Sequence, residues 1–215
     1  MSTKLITRVR STNLARAFKV TPSVTISRIA AMSTVSSVIK HDHRELEEYY
    51  SKIVSSSADD DTKIRYQNQF VWELARHSIG EELVVYPALE KYVQGGKAMA
   101  DHDREEHQKV KELLYKFQSL TPSDAQFLPT IKQIMSDLSS HIKEEEERDL
   151  PKLESALPNT EESESLATSF QRTKKFVPTR SHPSAPDQPP FETVVGLLTA
   201  PMDKLGDMFR RFPKD

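Results

Sequence analysis

The sequence predicts an all-α fold: an up-down-up-down four-helix bundle, preceded by a leader and followed by a helical tail. Three observations carry that prediction. Long runs place apolar and polar residues at helical spacing, the charged fraction is 29%, and only 5 of 215 residues are glycine. The connections between these runs are short, which makes successive helices antiparallel neighbours. A fourteen-residue stretch also occurs twice, as His77-Ser-Ile-Gly-Glu-Glu-Leu-Val-Val-Tyr-Pro-Ala-Leu-Glu90 and as His141-Ile-Lys-Glu-Glu-Glu-Glu-Arg-Asp-Leu-Pro-Lys-Leu-Glu154. The offset of 64 residues (141 − 77) superposes Glu81 on Glu145, Pro87 on Pro151 and, further upstream, His43 on His107. The sequence therefore reads as a duplicated helix pair.

Composition excludes several classes of function. With 0 Cys there are no disulfides, thiolate sites or cysteine nucleophiles. A net charge of −2 and a pI near 6.4 leave no global basic footprint for nucleic acid. No apolar run approaches membrane-spanning length.

Residues 1–32 form a basic, Ser/Thr-rich leader. From Met1 to Lys40 there is no acidic residue; the first is Asp42. That composition, with Leu5, Ile6, Val9, Leu14, Ala17 and Phe18 able to share one helix side, is that of a mitochondrial transit peptide and predicts a matrix protein. Met32 offers an alternative start that would yield a cytoplasmic form. The bundle is expected over 33–157. Its first helix should run over about 35–54, and the Asp59-Asp60-Asp61-Thr62 cluster suits the start of the second. The second should span roughly 62–92, kinked at Pro87, and Gly95-Gly96 should end it. The third is expected over about 97–119. A stop and N-cap at Thr121-Pro122-Ser123-Asp124 then lead into the fourth, over about 125–147, interrupted near Pro151. Residues 158–190 should hold a polar helix and a Pro-rich linker, and 191–215 an amphipathic helical segment broken at Pro201. Its Phe191, Leu197, Leu198, Leu205, Met208 and Phe209 call for burial, so the tail is expected to pack back on the bundle, with binding of a protein or redox partner, or of a membrane surface, through 191–212 as the alternative.

Positions i and i+4 share a helix face, so His77 and Glu81, and likewise His141 and Glu145, each present an imidazole and a carboxylate at one level. His43 and His107 add one imidazole from each remaining helix. A lone His-x-x-x-Glu is usually a solvated ion pair. Its duplication in register with two further histidines points instead to metal, with His43, His77, Glu81, His107, His141 and Glu145 as candidate ligands. Imidazole with carboxylate suits Fe, Mn or Zn, and carboxylates able to bridge favour two ions. Glu73 and Asp137, four residues before His77 and His141, are candidate acceptors of an imidazole N–H, or else helix-surface charges. Glu82 and Glu146 are expected to point away from the metal itself, as surface groups or as groups supporting the ligands. Gly80 either leaves a channel for a small ligand or marks a close helix contact. Tyr49, Tyr50, Trp72 and Tyr86 read as core residues, and His41 and His182 as surface ones.

These motifs resemble the haemerythrin-like, or HHE cation-binding, family over about Val38 to Leu157. The matching elements are Asp42-His43-Arg44-Glu45-Leu46, the run His77 through Pro87, Glu106-His107, and His141 to Glu145. The resemblance implies a bundle holding two iron ions joined by an oxide or hydroxide, with Glu81 and Glu145 as bridging carboxylates. It departs from the oxygen-carrying members at Asp103, where they have a second His four residues before the helix-three ligand. His102 is no substitute, being about 140° around the helix from His107. Asp103 as a ligand, as a water-mediated partner, or as an open position are the three outcomes left for the structure.

The leading functional reading is a non-haem di-iron protein that binds or senses oxygen, peroxide, nitric oxide or iron. The alternatives are a di-iron oxidase or peroxidase, for which no flavin, haem or iron–sulfur motif supplies electrons, and an iron store, sensor or interaction module with a structural metal.

Overall fold

The computed structural model describes residues 33–185 and 191–214, the side chains of 191–198 excepted. The regular elements among them are all helical. They are α1 (Val35–Val54), α2 (Asp60–Gly80), a π-helical turn (Glu81–Val85), α3 (Tyr86–Tyr92), α4 (Gly96–Phe117), α5 (Phe127–Glu144), a second π-helical turn (Glu145–Asp149), α6 (Leu150–Ala156), α7 (Thr160–Thr173) and α8 (Phe191–Asp207). The leader expected over 1–32 lies outside the described residues.

Local chemistry sets the helix starts. Thr34 accepts from the Ser37 amide at the head of α1, Asp59 from the Thr62 amide at α2, and Asn159 from the Glu162 amide at α7. Gly95 sits at φ 79°, a left-handed conformation that lets the chain reverse between α3 and α4. Asp124 was expected to cap the fourth long helix. It instead accepts from the Thr121 amide within the turn, and α5 begins three residues later at Phe127.

The bundle is layered along its length. One apolar cluster joins Leu46 and Ile53 of α1 to Phe70 and Leu74 of α2, Val110 and Leu114 of α4, and Ile131 and Leu138 of α5. A second joins Val35 and Ile39 to Val85, Leu89, Ala100, Leu150 and Leu153. Chain order through the two layers alternates: α1 and α4 run from the second cluster to the first, while α2 and α5 run from the first to the second. That is the up-down-up-down arrangement. The polar residues His43, His77, His107 and His141 fall between the layers on all four helices.

Both prolines produce the same device. Pro87 has no N–H, and its ring crowds the carbonyl four residues back. The backbone responds by widening into a π turn, in which the Tyr86 amide bonds the Glu81 carbonyl five residues back. The second copy repeats it, Leu150 bonding Glu145 ahead of Pro151. The predicted kinks are therefore π turns, and each begins at a candidate ligand.

The C-terminal region covers the bundle more closely than expected. Helix α7 packs along α1 and the first π turn. A Cβ on Gly80 would lie 2.8 Å from the Phe170 ring, so this glycine is a helix contact and leaves no channel there. Val177, Thr179, Arg180 and Ser181 are buried beyond it. Helix α8 continues through Pro201 rather than breaking there. Asp203 of α8 accepts from the amides of Thr179 and Arg180 and from His182, which is thereby more than a surface residue. The carbonyls of Arg211 and Phe212 accept from Asn68 and Arg65 of α2. The tail does pack back, but by its polar side: Leu205, Met208 and Phe209 remain exposed, contrary to their expected burial. The expectations for Phe191, Leu197 and Leu198 concern side chains outside the described set.

Phe170 is fully buried between α7 and the bundle, so Phe170→Ala should lower stability by about 3–5 kcal/mol in denaturant titrations.

Candidate metal centre

All six candidate ligands converge in the layer between the apolar clusters, each no more than 3% exposed. His43, His77 and Glu81 form one group with ligand atoms within 4.8 Å of one another, and Glu81, His107 and His141 form a second. Glu81 belongs to both: its two oxygens lie 3.1 Å from His77 Nε2 and 3.4 Å from His107 Nε2. Glu145 Oε2 lies 3.3 Å from His43 Nε2.

The ring orientations follow from a set of outer carboxylates. His43 Nδ1 is 2.8 Å from Glu146, His77 Nδ1 3.1 Å from Asp42, His107 Nδ1 3.1 Å from Glu82 and His141 Nδ1 2.9 Å from Glu106. An ionised carboxylate only accepts, so in each pair Nδ1–H donates and Nε2 is the nitrogen turned inward. Three of these carboxylates are in turn held by cations, Lys174 on Asp42, Lys111 on Glu82 and Arg44 on Glu146, and the His102 ring lies 3.6 Å from Glu106.

Glu73 and Asp137 do not take the role their spacing suggested. Glu73 is bonded to Lys174 and Arg76, and Asp137 to Gln133. The imidazole Nδ1 reaches across to a neighbouring helix, so its partner is never the residue one turn back on its own helix. Of the two roles left open for Glu82 and Glu146, the structure shows the supporting one, each carboxylate meeting an imidazole Nδ1 rather than solvent alone. The repeat itself carried the missing signal, since both pairs, Asp42 with Glu106 and Glu82 with Glu146, stand 64 residues apart (106 − 42 and 146 − 82).

Two further groups break the two-fold pattern, both beside His107 and His141. Tyr86, read from sequence as core, is fully buried, but its hydroxyl lies 2.9 Å from His107 Nε2. Asp103 is 1% exposed, groups with Glu106 and His141, and leaves Oδ2 without a partner. On the other side, Phe170 packs edge-on against His77 at 5.9 Å.

Burial and charge compete strongly here. Burial, reinforced by Glu145, pushes Glu81 well above the usual carboxylate range. Burial raises Glu145 too, but His43 outweighs it and holds the group at about 2. Burial lifts Asp103 to about 7 against the pull of His141, with Asp149 and Glu145 adding to the rise. Burial would lower His141, yet Glu106, Glu145 and Glu81 raise it to about 9. His107 is driven down to about 4 by burial, despite Glu82.

The donor set fits divalent cations. Four Nε2 atoms face inward, His107 and His141 bring theirs within 3.2 Å, and both oxygens of Glu81 and of Glu145 are buried without a hydrogen-bond partner. Unpaired buried carboxylate oxygens are costly, and a shared cation satisfies them.

Fold and donors together define a helical-bundle carboxylate–imidazole metal protein. The sequence comparisons narrow that class. The family model described as "Hemerythrin HHE cation binding domain" matches residues 34–153, and the chain belongs to this family. It is 57% identical over 183 residues to an uncharacterised hemerythrin-like protein of Schizosaccharomyces pombe, covering 85% of this chain and 89% of that one. It is also 26% identical over 147 residues to a DNA nickase of a Nostoc species, spanning 68% of this chain and 40% of that protein. The fold resembles the crystal structure of a hemerythrin HHE cation binding domain-containing protein from Mycobacterium kansasii. That likeness has a TM-score of 0.58 at 19% identity, over 67% of this chain and 86% of the other.

Two outcomes follow from the geometry. His141 titrates at about 9, and burial holds Glu81 above the usual carboxylate range, so both favour their protonated forms in the metal-free protein, and a cation needs those lone pairs. Adding metal to apoprotein in weak buffer should therefore release protons, and acidification should weaken uptake. Asp42→Asn and Glu82→Gln should each weaken metal affinity about 10–100-fold in chelator competition, whereas Asp137→Asn should leave it unchanged.

Proposed function

We propose that this is a non-haem di-iron protein. In this reading His43, His77 and Glu81 would hold one iron and Glu81, His107 and His141 the other, with Glu145 and Asp103 as further carboxylates beside them. The observation that carries the proposal is that all four carboxylate oxygens of Glu81 and Glu145 are buried without a hydrogen-bond partner, and that Glu81 belongs to both three-residue groups. One cation leaves oxygens unsatisfied; two, joined by these carboxylates, use them. The dense carboxylate set, rather than thiolate, suits iron, with Mn or Zn as lesser fits.

The bound irons would supply one-electron chemistry and an exchangeable position for a small oxygen- or nitrogen-based ligand: oxygen, peroxide, nitric oxide or a related anion. The chain's own residues favour the His107–His141 side for that ligand. Tyr86 can turn its hydroxyl from His107 to donate a hydrogen bond there, and Asp103 can hold or yield a proton near neutrality. Phe170 and Gly80 fill the opposite side at His77. The two apolar clusters keep bulk water from the layer. Binding or sensing is favoured over turnover because the chain carries no motif for a second electron-carrying cofactor.

Metal analysis of the full chain, with optical spectra before and after azide, tests this. The expected result is two irons per chain and absorption bands that shift with azide. His77→Ala and His107→Ala should each lower the iron content, and Tyr86→Phe should keep the iron but alter the azide response. No metal, or one zinc with no azide response, defeats the proposal.

A further inference from the structure

Helix α8 is docked with its polarity reversed relative to an ordinary surface helix. Its acidic side faces the bundle: Asp203 and Asp207 are engaged by Thr179, Arg180 and His182, and their side chains are only 11% and 14% exposed. Its apolar side faces out. Met202 is 77% exposed, Leu205 60%, Met208 78% and Phe209 83%, and Phe176 beside them 68%. Met202 and Leu205 lie three residues apart on α8, and Met208 and Phe209 follow in the turn that closes it, so the exposed apolar residues run together rather than as scattered exceptions. A contiguous apolar stripe of this kind marks a contact surface.

Cations border the stripe. Lys204 and Lys214 are exposed, as are Arg210 and Arg211, which pair with Asp207 and with Asp61 of α2, and so are Arg172 and Lys175 at the end of α7 and just past it. Lys204 reaches back to the Lys175 carbonyl and lies 5.8 Å from the Phe176 ring, which brings the two segments together. Among the described residues 199–214 no acidic side chain is exposed, although the whole chain is net acidic. The acids of the segment are spent on holding the helix to the bundle, and its outward surface is left apolar and positive.

We propose that this face docks on an anionic lipid surface. A stripe of Met, Leu and Phe flanked by Lys and Arg is the composition of a helix lying in the membrane interface, the long cationic side chains reaching up to headgroup phosphates. The face's Met, Phe and Arg would also suit a protein partner, but Lys175, Lys204 and Lys214, a residue type depleted at such interfaces, favour headgroup phosphates. No helix among the described residues is long and apolar enough to cross a membrane, so the contact is with the surface. The candidate metal ligands lie on α1, α2, α4, α5 and the two π turns, none on α8, so docking leaves the centre intact.

Sedimentation of the full-length protein with vesicles tests this. One set is phosphatidylcholine alone; the other carries about one-third phosphatidylglycerol. The protein is expected to sediment with the anionic vesicles only and to be released by high salt. Lys204→Glu should weaken partitioning by at least about fivefold, the contribution of one basic residue at such a surface. Met208→Asp with Phe209→Asp should abolish it. These side chains are exposed, and unchanged metal content would show that the variants remain folded. Equal partitioning onto both vesicle types, no partitioning, or variants that bind as the parent does would each overturn the proposal. A dimer that the Met208/Phe209 double variant dissolves, without lipid binding, would overturn it in favour of a second copy of this chain.

Discussion

Everything in this bundle is arranged around two carboxylates buried where no water reaches them. Glu81 and Glu145 stand in a layer bounded by apolar side chains above and below, each with both oxygens unpaired. An isolated carboxylate in such a place would neutralise or drive the helices apart. Four inward-facing imidazole nitrogens alone do not satisfy them; cations do. The bundle therefore supplies a negative, directional cage whose occupant completes the fold's electrostatics.

The cage is held from outside by a ring of charge. Each imidazole leans on a carboxylate from a neighbouring helix, and three of those carboxylates meet a Lys or Arg further out. The order of charge, from centre to surface, is cation, imidazole, carboxylate, cation. Such alternation keeps four ring orientations rigid without burying any unpaired charge. One member of the ring, Lys174, comes from beyond the segment that the family model matches, just past the end of α7. The C-terminal region is thus part of the centre's support, and Phe170 closes the His77 side by the same route.

The two halves of the bundle repeat, but the site does not have equal halves. Tyr86 and Asp103 stand where the other copy has Leu150 and Ile39 (86 + 64 and 103 − 64). Both sit beside His107 and His141, giving that side a hydroxyl and a carboxyl, while the His77 side is sealed by an aromatic ring. A duplicated scaffold thereby acquires one polar face and one closed face, which is the asymmetry a small ligand would read.

The sequence by itself determined the helices, their antiparallel order and the convergence of His43, His77, Glu81, His107, His141 and Glu145, because helical period and a 64-residue repeat are local, countable properties. It also placed the prolines, though not the π turns, since the choice among kink, break and widened turn depends on what the neighbouring helix allows. Tertiary structure alone decided the partners of the imidazoles. Glu73 and Asp137 were the near-sequence candidates, but Nδ1 reaches between helices, and interhelical neighbours are not encoded at i−4. It also decided the fate of the tail: amphipathicity required that α8 have two faces, and only the contacts of Asp203 and Asp207 with Thr179, Arg180 and His182 determined which one turned inward. Periodicity defines a face; what that face meets is a property of the folded chain.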